Sequence, residues 1–269
     1  MRGIDFCRLA CYNFSMLVGL TTRSLNGECE TEQALKLSDD TIAEVCEITL
    51  RTFYEYRPEF AKKYADRLGK VRAFSVRVAP YNFEPQLFDA SRRTSGDGFY
   101  WLDQVLRSAA LFKVKEYIFN GDALINEGFG LEQIAEKLCK ISSFCLRSGI
   151  RMNIENGERG LFSEPCNISR VLSLCPDIGA ALDLGKARKA GYPYTMYLAA
   201  MRGRLTQVRV SDLSADGKTC LPGYGIYDIN EICRVLKLYD FDGPLFADSE
   251  NFASFENIKL ALEHIKKSI

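Results

Sequence analysis

Short apolar runs alternate with amphipathic stretches along the whole chain. The runs are MLVGLT at 16–21, VCEITL at 45–50, AFSVRV at 73–78, EYIF at 116–119, RMNIE at 151–155, GAALDL at 179–184, LTQVRV at 205–210 and PLFA at 244–247. Between them, residues 57–69, 98–112, 131–149, 194–203, 229–239 and 255–268 place apolar side chains at helical spacing, as in Ile134, Leu138, Ile141 and Cys145. Several of these stretches stop at glycine, among them Gly69, Gly149 and Gly203. Strands that alternate with helices predict a parallel sheet with crossover helices. Eight such units in 269 residues predict a closed (β/α)8 barrel, a TIM barrel of the α/β class, in a single domain. The runner-up, an open doubly wound sheet, lacks its phosphate-binding glycines, because GLTTRSLNG after the first strand contains no G-x-G-x-x-G. Residues 1–15 read as an N-terminal extension and 16–269 as the barrel.

In such a barrel the C-terminal ends of the strands carry the site. Those ends hold Glu47, Arg77, Asn120, Glu155 with Asn156, Asp183 with Lys186, Arg209 with Ser211 and Asp212, and Asp248 with Glu250. So many polar ends predict a pocket rather than a solvated rim. Glu155, Asp183 and Asp248 would face Arg77, Lys186 and Arg209, and buried charges must be paired.

Ordered motifs from Met16 onward resemble the xylose isomerase-like barrels, the sugar phosphate isomerases and epimerases that share a fold with endonuclease IV. IENG at 154–157, LDLGKA at 182–187, QVRVSD at 207–212 and CLPGYGIYD at 220–228 match the motifs of the later strands; VCEITL, FSVRV and YIFNGD at 117–122 match earlier ones. The resemblance implies proton transfer between sugar carbons through an enediolate, on a divalent metal such as Mn²⁺. Its ligand positions are Glu155, Asp183, Arg209 and Asp248, and its proton-shuttling acids are Glu155 and Asp248. Homodimers are also a family expectation.

This chain departs from that pattern. It has one histidine, His264. Arg77, Asn120, Lys186 and Arg209 stand where the resemblance expects histidines, and a guanidinium has no lone pair to donate to a metal. Asp248 is one methylene shorter than the expected glutamate, and Cys220 replaces a histidine before LPG. The expectation is therefore no bound metal and no other cofactor. Glu155 and Asp248 are the catalytic candidates; Arg77, Asn120, Asp183, Lys186, Arg209 and Cys220 are the substrate-binding candidates. Two functions follow: metal-free isomerisation or epimerisation of a sugar or sugar phosphate, or non-catalytic binding of a sugar or sugar acid. DNA repair in the manner of endonuclease IV would need a histidine-rich metal cluster that one histidine cannot supply.

Lysine plus arginine equals aspartate plus glutamate at 35 each, so no net charge favours nucleic acid or an anionic membrane. The expected partner is a small carbohydrate. Hydrophobic content of 47% suits a soluble domain with a core. The first 15 residues lack the apolar stretch of a signal peptide. Ten cysteines without a C-x-x-C pair read as free thiols in a reducing cytoplasm, including Cys46, Cys139, Cys145, Cys175 and Cys233 inside apolar stretches. Trp101 is expected to pack against the barrel and His264 to lie on the surface. The aromatic loop with Tyr81, Phe83 and Phe88 either lines a sugar site or packs on helices. Residues 23–30 and 91–98 are polar enough for mobile lids, and Gly223 with Gly225 suits a tight loop.

Overall fold

The computed structural model describes residues 16–25, 29–80, 82–123, 130–249 and 254–269. The expected extension at 1–15, Tyr81 and Glu250 lie outside them. Eight parallel strands close into a barrel: β1 (Leu17–Thr21), β2 (Val45–Leu50), β3 (Arg72–Val78), β4 (Glu116–Phe119), β5 (Arg151–Glu155), β6 (Gly179–Asp183), β7 (Leu205–Val210) and, after a short hairpin of β8 (Asp212–Leu213) and β9 (Thr219–Cys220), β10 (Pro244–Ala247). Each strand pairs with its sequence neighbour in the barrel, and β1 closes it against β10 with Leu17 opposite Pro244. The eight predicted apolar runs are these strands, within a residue or two.

The crossover helices are α1 (Thr31–Ser38), α2 (Pro58–Tyr64), α3 (Arg92–Leu111), α4 (Leu131–Arg147), α5 (Pro165–Leu174), α6 (Leu184–Lys189), α7 (Tyr194–Ala200), α8 (Ile229–Leu238) and α9 (Phe255–Ser268). Their apolar faces cover the barrel. In α4 the predicted stripe of Ile134, Leu138, Ile141 and Cys145 is buried; each such aliphatic side chain contributes roughly 1.5–3 kcal/mol. Side-chain caps start four of the helices: Ser91 accepts from Thr94 N, Asp183 from Lys186 N, Asp228 from the amides of Asn230 and Glu231, and Ser254 from Asn257 N.

Alternation along the strands sorts side chains between helix layer and barrel interior. On β7, Val208 and Val210 join the hydrophobic core while Gln207 and Arg209 reach the barrel's polar interior. Phe246 of β10 crosses the interior against Gly19 of β1; a Cβ at Gly19 would sit 2.4 Å from its ring. Register shifts interrupt β2 at Cys46/Glu47 and β6 at Ala180/Ala181.

Three expectations change. Residues 92–98 are no lid: capped by Ser91, they form the first turns of α3. Cys139 and Cys175 are not free thiols but a disulfide joining α4 to the segment after α5, with Cα atoms 5.5 Å apart. A separation of 36 residues carries no local signature, and only the packing of α4 on α5 brings the pair together. His264 is half-buried, its ring against Gly223 of the loop after β9. Trp101 packs as expected, 4.6 Å from the Phe53 ring. Among the described residues, no helix is long and apolar enough to cross a membrane.

Candidate active site

The inward positions at the C-terminal end of the barrel form a buried network of charges. Arg209 lies at its centre. Its Nη2 bonds Glu47 Oε1 of β2 at 2.5 Å, and its Nη1 lies 2.5 Å from Glu155 Oε1 of β5, a close ionic contact rather than an aligned hydrogen bond. Glu155 Oε2 receives Lys186 Nζ at 2.7 Å and Arg77 Nη2 at 3.3 Å. One carboxylate thus meets three cations. Lys186 also reaches Asp122 Oδ2 at 2.6 Å and Asn120 Oδ1 at 3.2 Å. Glu47 is further held by Gln207 Nε2 at 2.5 Å and Ser75 Oγ at 3.3 Å.

On the other side of the barrel, Asp248 is wrapped by Arg23 from the segment after β1. Arg23 Nε donates to Asp248 Oδ1 at 3.2 Å, its Nη2 pairs with Oδ2, and Thr21 Oγ1 donates to Oδ1 at 2.7 Å. Asp183 caps α6: its Oδ1 accepts Lys186 N at 2.9 Å and the Ser211 hydroxyl. Asn156 clamps the same residue's backbone, accepting from Asp183 N at 2.7 Å and donating to its carbonyl at 3.0 Å.

These environments separate the carboxyl groups. Burial pushes Glu47 up to about 7 against the opposing pull of Arg77. Asp183 rises to about 6, from burial first and then from the nearby charges of Glu155 and Asp248. Burial also acts to raise Asp248, but the Arg23 guanidinium outweighs it and holds that carboxyl below its ordinary value. Lys186 is pulled down by burial and raised more strongly by Glu155 and Asp122, so its ammonium stays charged at neutral pH.

Above the network opens a pocket of about 260 Å³, fed by the ends of seven strands. Its floor is Asp183, Lys186, Ser211 and Asp122; Arg23, Arg159 and Lys189 line its sides. Of the residues singled out in the sequence, Asp183 and Lys186 line the pocket. Glu155, Asp248 and Arg209 have no solvent exposure and Arg77 has 1%, so they underlie it. Asn120 is buried beside Lys186, its amide nitrogen unpartnered. Cys220 does not line the pocket. It sits on the hairpin strand β9 opposite Asp212, and burial raises its thiol. Asp212 itself organises the loop, accepting from the amides of Leu213, Gly223, Gly225 and Tyr227. Phe83 and Phe88 are core residues.

Sequence reasoning missed Arg23, which it grouped with a polar lid, and Asp122, which stands in the quoted YIFNGD motif. It also missed Glu84, buried in the aromatic loop. Tyr117 Oη donates to Glu84 Oε1 at 2.5 Å, and burial pushes that carboxyl up to about 7. A single acid among aromatics was the available signal.

Among the described residues, no group of three or more His, Cys, Asp or Glu is arranged to hold a metal ion. The carboxylates at the expected ligand positions are each turned toward a cation or a capped amide.

No family model matches the chain, and no curated protein matches it. Solved structures do. A D-tagatose 3-epimerase-like protein superposes with a TM-score of 0.77 at 15% identity, covering 94% of this chain and 98% of that one. The D-psicose 3-epimerase of Clostridium cellulolyticum H10, solved with D-tagatose, gives 0.75 at 12% identity over 94% and 99%. A xylose isomerase domain protein from Alicyclobacillus acidocaldarius gives 0.73 at 16% identity over 94% and 98%. At these identities the likeness is one of fold. The chain is built as the barrel that these structures share, which is the fold its motifs resemble.

Proposed function

We propose that this barrel acts on a small carbohydrate by proton transfer of the isomerase or epimerase kind, with side-chain cations in the role that a divalent metal has in the resemblance. The observation that carries the reading is the position of Arg209. Its guanidinium lies between Glu47 and Glu155, 2.5 Å from each. A guanidinium donates hydrogen bonds and has no lone pair to give. A divalent ion placed there would meet a fixed positive charge instead of a ligand. The donor set does not fit a metal.

The pocket floor supplies the chemistry. Lys186 remains charged, and its three N–H groups go to Glu155, Asp122 and Asn120; exchanging the 3.2 Å bond to Asn120 for a substrate carbonyl oxygen would place the ammonium where charge grows as an enediolate forms. Asp183, with its carboxyl at about 6, is ionised at neutral pH and basic enough to take a proton from the neighbouring carbon. Returning that proton to the adjacent carbon, while the hydroxyl proton passes to the former carbonyl oxygen, isomerises the sugar; leaving the proton on Asp183 and taking one from water in the open pocket on the opposite face of the same carbon epimerises it. Glu155 keeps Lys186 charged and placed. Asp248, held below its ordinary range, is the weaker base.

Solvent exchange tests this directly. Ketoses, aldoses, their phosphate esters and their acids, incubated in D2O, would gain carbon-bound deuterium with wild-type protein, detected by NMR. The rate would rise with pH through about 6 as Asp183 ionises, and Asp183→Asn would abolish it. Exchange unaffected by that substitution would reject Asp183 as the base.

One observation favours a second reading. Both Glu155 oxygens are occupied by cations, as in a centre that only balances its own charge. A non-catalytic sugar-binding barrel would be stabilised by ligand without any exchange.

A further inference from the structure

We propose that the opposite end of the barrel holds a second ligand site, for the zwitterion of a small apolar α-amino acid. The inference does not rest on the preceding reading.

Two strands of the barrel carry one residue more than a neighbour. Against β2, β3 pairs Ala73 and then Ser75, which leaves Phe74 over; against β6, β7 pairs Leu205 and then Gln207, which leaves Thr206 over. Such bulges are rare between parallel strands. They bend the strand and re-aim a side chain, and they gather at barrel rims and beside binding sites. Here both extra residues line one pocket of about 310 Å³ at the N-terminal mouth of the barrel, with Leu17, Leu205 and Pro244 from the strand starts. The Phe74 ring stands 6.0 Å from that of Phe246, which crosses the interior, so aromatic rings form the floor. The N-terminal face of such a barrel ordinarily serves stability. A hollow lined by half-buried apolar groups does not, because it leaves their contacts unmade.

The rim of this pocket carries charge. The Arg204 guanidinium makes one hydrogen bond among the described residues, from Nη1 to the Ile178 carbonyl at 3.4 Å. The exposed Asp242 carboxylate makes no hydrogen bond or ion pair among the described residues, and none joins it to Arg204. Gly243 holds the Asp242 segment against the bulge, since a Cβ there would sit 2.4 Å from the Thr206 carbonyl oxygen. The third charge on the rim, Arg151, is committed: its Nε and Nη2 bond Glu116 at 3.0 and 2.9 Å.

One cation and one anion on a single pocket, not paired with each other, suit a ligand that bears both charges. Nε and Nη2 of Arg204 offer a carboxylate the two parallel bonds that a guanidinium makes. Asp242 accepts from an ammonium. The apolar side group then rests on Phe74, Leu17 and Leu205. A volume of about 310 Å³ is at the lower end of the range for small-molecule sites, which sets the ligand's size. A neutral sugar would leave both charges unanswered.

Calorimetric titration of the full chain with L-leucine, L-leucinamide and N-acetyl-L-leucine tests the site. The amide keeps the ammonium and lacks the carboxylate; the N-acetyl compound keeps the carboxylate and lacks the ammonium. The expected result is saturable binding of L-leucine, at least tenfold tighter than either analogue. Arg204→Ala should weaken L-leucine to the level of the amide, and Asp242→Asn to that of the N-acetyl compound. Both side chains reach solvent, so the variants are expected to fold, which their melting curves check. Absence of saturable L-leucine binding would overturn the proposal. So would analogues that bind as tightly as the amino acid, or binding that either substitution leaves unchanged.

Discussion

The side chains of Arg209 on β7 and Glu47 on β2 meet at 2.5 Å inside the barrel, with no solvent exposure on either. Two strands, β1 and β10, separate them in the sheet. Glu155 completes the arrangement from β5, so that one guanidinium compensates two buried carboxylates. The polar centre of this barrel is thereby an ionic network of its own side chains.

Removing the guanidinium would leave Glu47 and Glu155 short of their shared partner. Breaking a buried pair on one side costs about 3–5 kcal/mol. Arg209→Ala should lower unfolding free energy in urea by that order at pH 8. The loss should shrink at pH 5, where the Glu47 carboxyl, raised to about 7, takes up a proton. A loss below about 1 kcal/mol at pH 8 would mean that the network is not compensating charge.

Glu84 makes the opposite prediction about pH. Burial raises its carboxyl from 4.5 to about 7. A carboxyl raised on folding contributes stability that is present below its unfolded value and lost as pH rises through the folded one. Glu84→Gln keeps an oxygen to accept from Tyr117 and removes the titration. The variant should therefore gain stability relative to wild type between pH 5 and pH 8, on the order of 1–3 kcal/mol at the upper end. A difference between the two proteins that does not change with pH would contradict the assignment.

The Cys139–Cys175 disulfide closes a loop of 36 residues across α4 and α5. Loop-closure entropy for that length gives about 3–4 kcal/mol. Reductant should lower the melting temperature of wild type and leave Cys139→Ser/Cys175→Ser unaffected. Equal effects of reductant on both proteins would place the sensitivity at another cysteine.

What was legible in the sequence followed its periodicities. Period-two alternation in LTQVRV places Gln207 and Arg209 together on the inward face, and the strand-end rule then collects Arg209 with Glu155 and Asp183. The start of α3 was hidden by Gly96 and Gly98, which weaken a helix pattern. Gly98 is there because α3 passes close to the segment before it: a Cβ would sit 3.0 Å from Leu87 N. Arg23 and Glu84 were hidden for another reason. They act from segments between regular elements, where no period relates a residue to its target, and their partners, Asp248 and Tyr117, are 225 and 33 residues away in the chain. The disulfide was hidden in the same way.

The most direct test of a centre built on side-chain cations is metal content. Protein incubated with Mn²⁺, Co²⁺ and Zn²⁺, then desalted and measured by mass spectrometry, should retain none of them, because the Arg209 guanidinium lies between Glu47 and Glu155. One tightly retained ion per chain, lost on substitution of Glu155 or Asp183, would contradict the account and return the barrel to metal-dependent chemistry.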